Sequence, residues 1–234
     1  MPRRHLLLSS SRTAGTGYLE HAHEHIEWLL GSTKKTVAFI PFAAVRFSWD
    51  EYEKMVAGGI TGHNIVSVHH SSNPVDLIKD ADAIAIGGGN TFQLVHLLYQ
   101  YDLMELICSR ALGGIPFMGW SAGSNVAAPR LCTTNDMPIV EPASFETLGL
   151  ISSQINPHYI DQHPAGHMGE TRAERLAEFT ALNPQTHVIG LREGALLKVE
   201  GSQMMLEGSA GACLFHQESK PKEFAPGSDL SFLL

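Results

Sequence analysis

Gly119-Trp120-Ser121-Ala122-Gly123 sets a serine between two glycines, directly after the apolar run Ile115-Pro116-Phe117-Met118. A Gly-x-Ser-x-Gly in that position is how a strand-to-helix turn presents a nucleophilic serine. The glycines are there for a physical reason, since the serine must take strained backbone angles and a bulkier neighbour would meet the helix that begins at once. Ala122 to Ala128 can begin that helix, whose first free N–H groups would face a developing oxyanion. An enzyme is therefore the leading expectation.

A serine nucleophile requires a base within hydrogen-bond reach and a third group that orients the base. Thirteen histidines compete for that place, and most are expected to be solvated or partly buried polar side chains. His158 stands out by context. It lies in Gln154-Ile155-Asn156-Pro157-His158-Tyr159, a short extended segment ended by proline geometry, which could be a strand end at the same rim of a sheet as Ser121. Gly87-Gly88-Gly89-Asn90-Thr91-Phe92 closes another apolar run. It has no third glycine at the dinucleotide spacing and no Gly-Lys-Ser/Thr of a P-loop, so nucleotide binding is not expected. Gly88 and Gly89 let the backbone approach a substrate carbonyl and are candidates for the second oxyanion donor beside Ala122. The competing reading is a tight turn with no catalytic duty.

Neither a metal nor a cofactor is expected. His158, His163 and His167 share one region with Asp161 and Glu170, and His21-Ala22-His23-Glu24-His25 is dense in histidine. Neither has the His-Glu-x-x-His spacing of a zinc protease. His21 and His25 share a helix face while His23 points elsewhere, as on a solvated helix. Pro164 and Gly166 suggest a loop over the site, a flap.

The elements that must position these residues alternate along the chain. His5–Leu8, Thr36–Pro41, Asn64–His69, Ala83–Ile86 and the run into Ser121 read as strands, with the near-continuous apolar character of a sheet buried on both faces. Tyr18–Leu30, Asp50–Ala57, Thr91–Tyr99 and Leu103–Leu112 read as helices between them. After residue 130 the pattern turns irregular, then recovers in a helix at Thr171–Ala181, a strand at His187–Leu191 and hairpin-like pieces at Ala195–Glu200, Gln203–Leu206 and Ala212–Phe215. The expectation is a single α/β domain over residues 1–234, a mainly parallel sheet flanked by helices, with C-terminal β-hairpins and a loosely held tail from Pro221 to Leu234.

Composition narrows the partners. The 234 residues are 44% hydrophobic and carry a net charge of −8, with 16 basic residues spread along the chain. A nucleic-acid footprint needs a clustered basic face, so no nucleic-acid partner is expected. The three leucines after Met1-Pro2-Arg3-Arg4-His5 are too few for a signal peptide, and no later run approaches a membrane span. Cys108, Cys132 and Cys213 are widely spaced and read as reduced thiols, which with the missing leader points to the cytoplasm. Monomer and homodimer are both open.

Seven collinear blocks carry a specific resemblance: Ile40-Pro41-Phe42-Ala43, Gly87 to Leu94, Gly119 to Gly123, Thr133-Thr134-Asn135-Asp136-Met137-Pro138-Ile139-Val140, Gln154 to His158, Gly169-Glu170-Thr171-Arg172, and Ile189-Gly190-Leu191-Arg192-Glu193-Gly194. With them the chain resembles the peptidase E family, cytoplasmic α-aspartyl dipeptidases with a class I glutamine-amidotransferase-like fold. The resemblance implies Ser121 as nucleophile and His158 as general base, acting on small peptides with an N-terminal aspartate. It offers two carboxylates for the third place, Glu193 and Asp136. Glu193 is favoured because it follows the expected strand Val188–Leu191, and strand ends at one rim are where such constellations assemble. Asp136 then fixes a loop or meets the substrate's amino group. Arg192 would lower the proton affinity of Glu193 if it faced the site.

A dipeptidase of that kind must recognise an amino group and a side-chain carboxylate on one residue. Arg172 is the candidate for the carboxylate, because a planar guanidinium binds both oxygens. Glu170 or Asp136 is the candidate amine partner, and Asn90 stands beside the glycines as a further substrate-binding residue. Glu170-Thr171-Arg172-Ala173-Glu174-Arg175 also reads as an ordinary solvated helix start. Two other functions stay in view: a cyanophycinase-like peptidase on aspartyl-arginine polymer, and a non-catalytic binding or chaperone-like member of the fold.

Overall fold

Alternating apolar side chains decide the layering. In the computed structural model, which describes residues 2–161, 166, 168–217 and 220–234, the strands are β1 (Arg4–Leu8), β2 (Thr36–Ile40), β3 (Asn64–Ser67), β4 (Ala83–Ile86), β5 (Phe117–Trp120), β6 (Gln154–Asn156), β7 (Val188–Leu191), β8 (Ala195–Glu200), β9 (Gln203–Gly208), β10 (Ala212–Phe215) and β11 (Lys222–Phe224). The helices are α1 (His23–Leu30), α2 (Trp49–Gly59), α3 (Pro74–Asp80), α4 (Thr91–Gln100), α5 (Met104–Leu112), α6 (Ala122–Asn125) and α7 (Arg172–Leu182).

A seven-stranded sheet runs β3-β2-β4-β5-β1-β8-β9. The first five strands are parallel, and β8 and β9 add an antiparallel hairpin at the edge of β1. Val37, Phe39, Ala83 and Ala85 face the side covered by Ile26, Leu29, Tyr52 and Val56 of α1 and α2. Ala38, Ile40, Ile84 and Ile86 face the other side, under Ile78, Leu94, Leu98 and Ile107 of α3, α4 and α5. Every buried side of the sheet is thus closed by helices, as a parallel sheet requires. A second, four-stranded sheet runs β11-β10-β7-β6, with β6 and β7 parallel.

Capping chemistry marks the helix starts. Ser48 and Glu51 form a reciprocal capping box at α2, and Thr171 and Glu174 do the same at α7.

Several segments differ from the sequence expectation, each for a local reason. The helix expected from Ala122 to Ala128 stops at Asn125, because the carbonyls of Val126, Ala127 and Ala128 accept from Leu148, Leu150 and Gly149 instead of continuing a helix. The strand expected to His69 ends at Ser67 and passes into a 3-10 turn, Val68–His70. The helix expected from Tyr18 begins as a 3-10 turn, Glu20–Ala22, and His21 and His25 are half-buried rather than fully solvated. α3, seven residues with one buried apolar side chain, Ile78, is too short to show a period and was not expected. β10 does not extend the β8–β9 hairpin but crosses to pair with β7 and β11. The tail expected to be loose is tied down: β11 pairs with β10, Leu230 N–H donates to the Met204 carbonyl at 2.8 Å, and Leu230 and Leu233 are buried. Two anchors that far apart leave no periodic signal.

His5 on β1 is fully buried, edge-on to the Phe117 ring at 5.9 Å. Burial, with the Arg3 charge nearby, pushes its imidazole down to about 4 from 6.5. Between those values the unfolded chain binds the extra proton, so this contribution is whole above pH 6.5 and is lost as pH falls through 4. In urea titrations from pH 7 to pH 4, His5→Leu should flatten the acid loss of stability by about 3 kcal/mol.

Candidate active site

Ser121 stands at the carboxyl end of β5 and begins α6, with φ 54° and ψ −114°. The turn has no spare room: a Cβ on Gly119 would strike the Gly123 carbonyl, and one on Gly123 would strike the Ile86 carbonyl. Ser124 Oγ lies 2.7 Å from the Leu8 oxygen and 2.8 Å from the Gly119 oxygen, tying the elbow to β1.

His158 follows β6 after Pro157 and also has a positive φ, 53°. Its N–H donates to Ser9 Oγ at 2.9 Å, and Ser9 Oγ donates to the Leu191 carbonyl at 2.8 Å. Tyr159 N–H donates to the same carbonyl at 2.9 Å. These bonds place the ring between two other groups, its Nδ1 at 2.8 Å from Glu193 Oε1 and its Nε2 at 2.9 Å from Ser121 Oγ. With Nδ1–H donated to the carboxylate, the Nε2 lone pair is left to accept from the serine hydroxyl. The arrangement can deprotonate Ser121 as its oxygen attacks an electrophile, and can return the proton to a leaving group.

Of the two carboxylates, the structure brings Glu193 to His158 and puts Asp136 elsewhere. Asp136 Oδ2 accepts from Thr91 N–H at 2.7 Å, from the Thr91 hydroxyl at 2.5 Å and from the Thr134 hydroxyl at 3.0 Å. It anchors a loop to the start of α4. Asn90 is the N-cap of that helix, its Oδ1 accepting from Gln93 N–H at 3.0 Å and its Nδ2 donating to the Met137 carbonyl at 2.9 Å. Both ends of the amide are therefore occupied. Arg192 turns away from Glu193 to a pair of acids, Asp161 at 2.5 Å and Glu223 at 2.9 Å.

Gly88 is pressed against Ser121, where a Cβ would come within 2.9 Å of Ser121 Cβ. Gly89 takes φ 138°, with the Ala43 carbonyl filling the place of a side chain. The N–H groups of Gly88, Gly89 and Ala122 have no acceptor among the described residues. Tyr52 holds this loop from behind, its Oη donating to the Gly88 carbonyl at 3.0 Å and accepting from Trp120 Nε1 at 3.1 Å.

Ser121, His158, Gly88 and Gly89 open into a cleft of about 350 Å3 that Arg12, Phe47 and Met55 help to line. Arg172 is in a separate pocket of about 190 Å3 with Asn135, Asp136 and Asn156, and burial, with Arg175 nearby, pulls its pKa down. Glu170 Oε2 is 3.6 Å from Arg175 Nε. His163, Pro164 and His167 of the expected flap lie outside the described residues, and Gly166 has φ 86°. Sequence reasoning passed over Ser9, Arg12 and Tyr52. The signal for the first two was a polar run, Ser9-Ser10-Ser11-Arg12, directly after a parallel strand, where ligands gather.

A serine on a strained strand-to-helix elbow, hydrogen-bonded to a histidine that is bonded to a carboxylate, is the arrangement of a serine-class hydrolase. The chain order here is serine, histidine, acid, rather than the serine, acid, histidine order of the α/β-hydrolase fold. Residues 5–207 match peptidase family S51. The chain is 49% identical over 231 residues to peptidase E of Shewanella denitrificans, covering 98% of each. It is 44% identical over 236 residues to peptidase E of Nostoc sp., covering 100% of this chain and 98% of the relative. The solved structure of a peptidase from an acI-B1 actinobacterium shares the fold, with TM-score 0.74 at 22% identity over 99% of this chain and 98% of that one. The chain belongs to peptidase family S51 and is a serine-type peptidase.

Ser9 is fully buried, so Ser9→Ala leaves the His158 N–H without its acceptor, while the Leu191 carbonyl keeps Tyr159 N–H. Urea unfolding should show a loss of about 1–3 kcal/mol. The displaced ring should also slow phosphonylation of Ser121 in the still-folded variant.

Proposed function

We propose that the chain is an exopeptidase that releases an N-terminal aspartate from short peptides, Asp-Xaa. The observation that carries the reading is the continuous hydrogen-bond chain from Glu193 through His158 to Ser121, at 2.8 and 2.9 Å, beside backbone N–H groups that lack an acceptor among the described residues. Ser121 Oγ attacks the aspartyl carbonyl carbon while His158 Nε2 takes its proton. The oxyanion receives N–H from Ala122 and from Gly88 or Gly89. Collapse breaks the peptide bond as His158 protonates the leaving amine, and an acyl-enzyme remains. His158 then deprotonates a water that attacks the ester, and aspartate leaves with Ser121 restored.

An Asp-Xaa dipeptide carries two carboxylates, and one arginine lines the Ser121 cleft to meet one of them. Arg12, an exposed cation lining the Ser121 cleft with its guanidinium 5.6 Å from the Tyr18 ring centre, takes the terminal carboxylate of the second residue. Phe47 and Met55 beside it offer apolar surface for that residue's side chain. Arg172 and Glu170, the sequence candidates for the aspartyl side chain and amino group, do not line this cleft: Arg172 lies in the separate pocket with Asp136, and Glu170 faces Arg175. Asp136 acts through the loop and does not touch the substrate. The three free cysteines fit a reducing compartment, and the cytoplasm is the proposed place of action.

Hydrolysis of Asp-Leu should exceed that of Glu-Leu, Asn-Leu, Ala-Leu and N-acetyl-Asp-Leu, and should vanish in Ser121→Ala. Equal cleavage of Ala-Leu would reject the aspartyl specificity, and full activity in Ser121→Ala would reject the nucleophile. Glu193→Gln should lower kcat by about 10²-fold or more, in the order of magnitude of general-base contributions. Asp136→Asn should chiefly lower stability.

Loss of Arg12 should raise KM for Asp-Leu roughly tenfold or more, the size of one charge-assisted hydrogen bond. Asp-Leu-amide, which lacks the terminal charge, should be cleaved alike by Arg12→Ala and the parent. A penalty of the same size on the amide would move Arg12 off the terminal carboxylate.

A further inference from the structure

Away from the cleft, the first turn of α2 faces the 3-10 turn that follows β3. Asp50 and Glu53, three residues apart, lie on one face of the helix, and His69 and His70 come from the turn. His69 Nε2 is 3.0 Å from Asp50 Oδ1, and His70 Nε2 is 3.5 Å from the same oxygen. His70 Nε2 is also 2.7 Å from Glu53 Oε2. The donor atoms of Asp50, His69 and His70 all lie within 4.8 Å of one another.

From these four side chains we propose a binding site for one divalent transition ion, Zn2+ above all, with His69 Nε2, His70 Nε2 and Asp50 as ligands and Glu53, beside His70, swinging in as a fourth. Tetrahedral zinc with bonds of about 2.0–2.1 Å sets its ligand atoms about 3.3 Å apart. The His69–Asp50 and His70–Asp50 separations of 3.0 and 3.5 Å bracket that edge, whereas Glu53 must move further to join.

The surroundings already aim the ligands. Ser67 Oγ is 2.6 Å from His69 Nδ1, which turns Nε2 toward the cluster. Glu53 Oε1 accepts from Ser67 N–H at 2.6 Å, which leaves Oε2 facing His70. Such outer contacts fix the tautomer and orientation of metal ligands. The two imidazoles overlap at 3.9 Å between ring centres, a poor arrangement for two cations. With both rings neutral the four side chains sum to two negative charges, which one divalent ion balances. Imidazole with carboxylate is a donor set that suits zinc, while cobalt and nickel accept it too. The competing state is a pair of histidine–carboxylate ion pairs with no metal. Asp50 is 19 residues from His69 and Glu53 is 17 from His70, so no local spacing betrays the group in the sequence.

The site also reaches the cleft through one helix. Tyr52, between Asp50 and Glu53 in the chain, donates to the Gly88 carbonyl, so an ion that pins this turn stiffens the support of the glycine loop.

The test is calorimetric titration of chelator-treated protein with Zn2+, on the parent, His70→Ala and Asp50→Asn, with folding checked by circular dichroism. One Zn2+ per chain is expected, bound at least tenfold more weakly by either variant, with a zinc-dependent rise in Tm that the variants lose. Asp50 and the His70 ring are more than half or half exposed, at 63% and 50%, so both substitutions should leave the fold standing. If either variant fails to fold, the parent still decides: its His69 and His70 imidazole NMR signals should shift on adding one equivalent of Zn2+. Absence of stoichiometric binding, equal binding by both variants, or unmoved His69 and His70 signals would overturn the site and leave only ion pairs.

Discussion

The Ser9 hydroxyl is where the two sheets of this molecule are registered against each other. Ser121 comes from the seven-stranded sheet, at the end of β5, whereas His158 and Glu193 come from the four-stranded sheet, at the ends of β6 and β7. Ser9, at the end of β1, accepts from His158 N–H and donates to Leu191 O, so one buried side chain fixes both contributors of the second sheet against the first. Asn125 and Thr133 add a second line of attachment, each donating to the Ile155 carbonyl at 2.8 Å. A hydrogen-bond chain of three side chains tolerates little drift, since bonds beyond about 3.2 Å weaken quickly. The positions of Ser121, His158 and Glu193 are thus consequences of strand packing.

Two of the strained backbone positions fall at the same place. Ser121 and His158 both occupy the left-handed region, at φ 54° and 53°, where a non-glycine residue costs of order 1–3 kcal/mol. The surroundings over-determine them: the Ser121 N–H and the Ser124 hydroxyl are tied to the Leu8 carbonyl, and the Gly119 and Gly123 positions exclude any side chain. The strain holds the serine oxygen clear of its own helix and toward the imidazole. Relaxing either residue would break the 2.9 Å contact between Ser121 Oγ and His158 Nε2.

The sequence displayed the elements that repeat and hid those that do not. Apolar runs such as Thr36–Ile40 and Ala83–Ile86, broken by glycine, were enough for the parallel sheet, and Gly-x-Ser-x-Gly after a strand was enough for the strained elbow that carries Ser121. His158 was legible from its extended Asn-Pro-His context and from collinear blocks rather than from any property of histidine. What stayed hidden depends on distant partners. The end of α6 is set by residues 148–150, the anchoring of the tail by Met204, and the duty of Ser9 by two segments well over a hundred positions away. Arg12 looked like one more basic residue until the cleft closed around it.

The two acidic candidates show why spacing could not choose between them, since both end near the same rim. Asp136 receives three donors on one oxygen, and those donors come from Thr91 and Thr134. It therefore fixes the start of α4, and with it the chain that runs back through Asn90 to Gly89. Tyr52 grips the preceding carbonyl, at Gly88, from the other side. A loop held at both ends presents its N–H groups in one direction at no cost of reorganisation, which is what a developing oxyanion requires. Glu193, by contrast, is 58% exposed and has the His158 Nδ1 at 2.8 Å. Water screens most of its charge, so its contribution is the choice of tautomer and the aim of the ring. Glu193 thus orients the His158 ring, whereas Asp136 holds the start of α4.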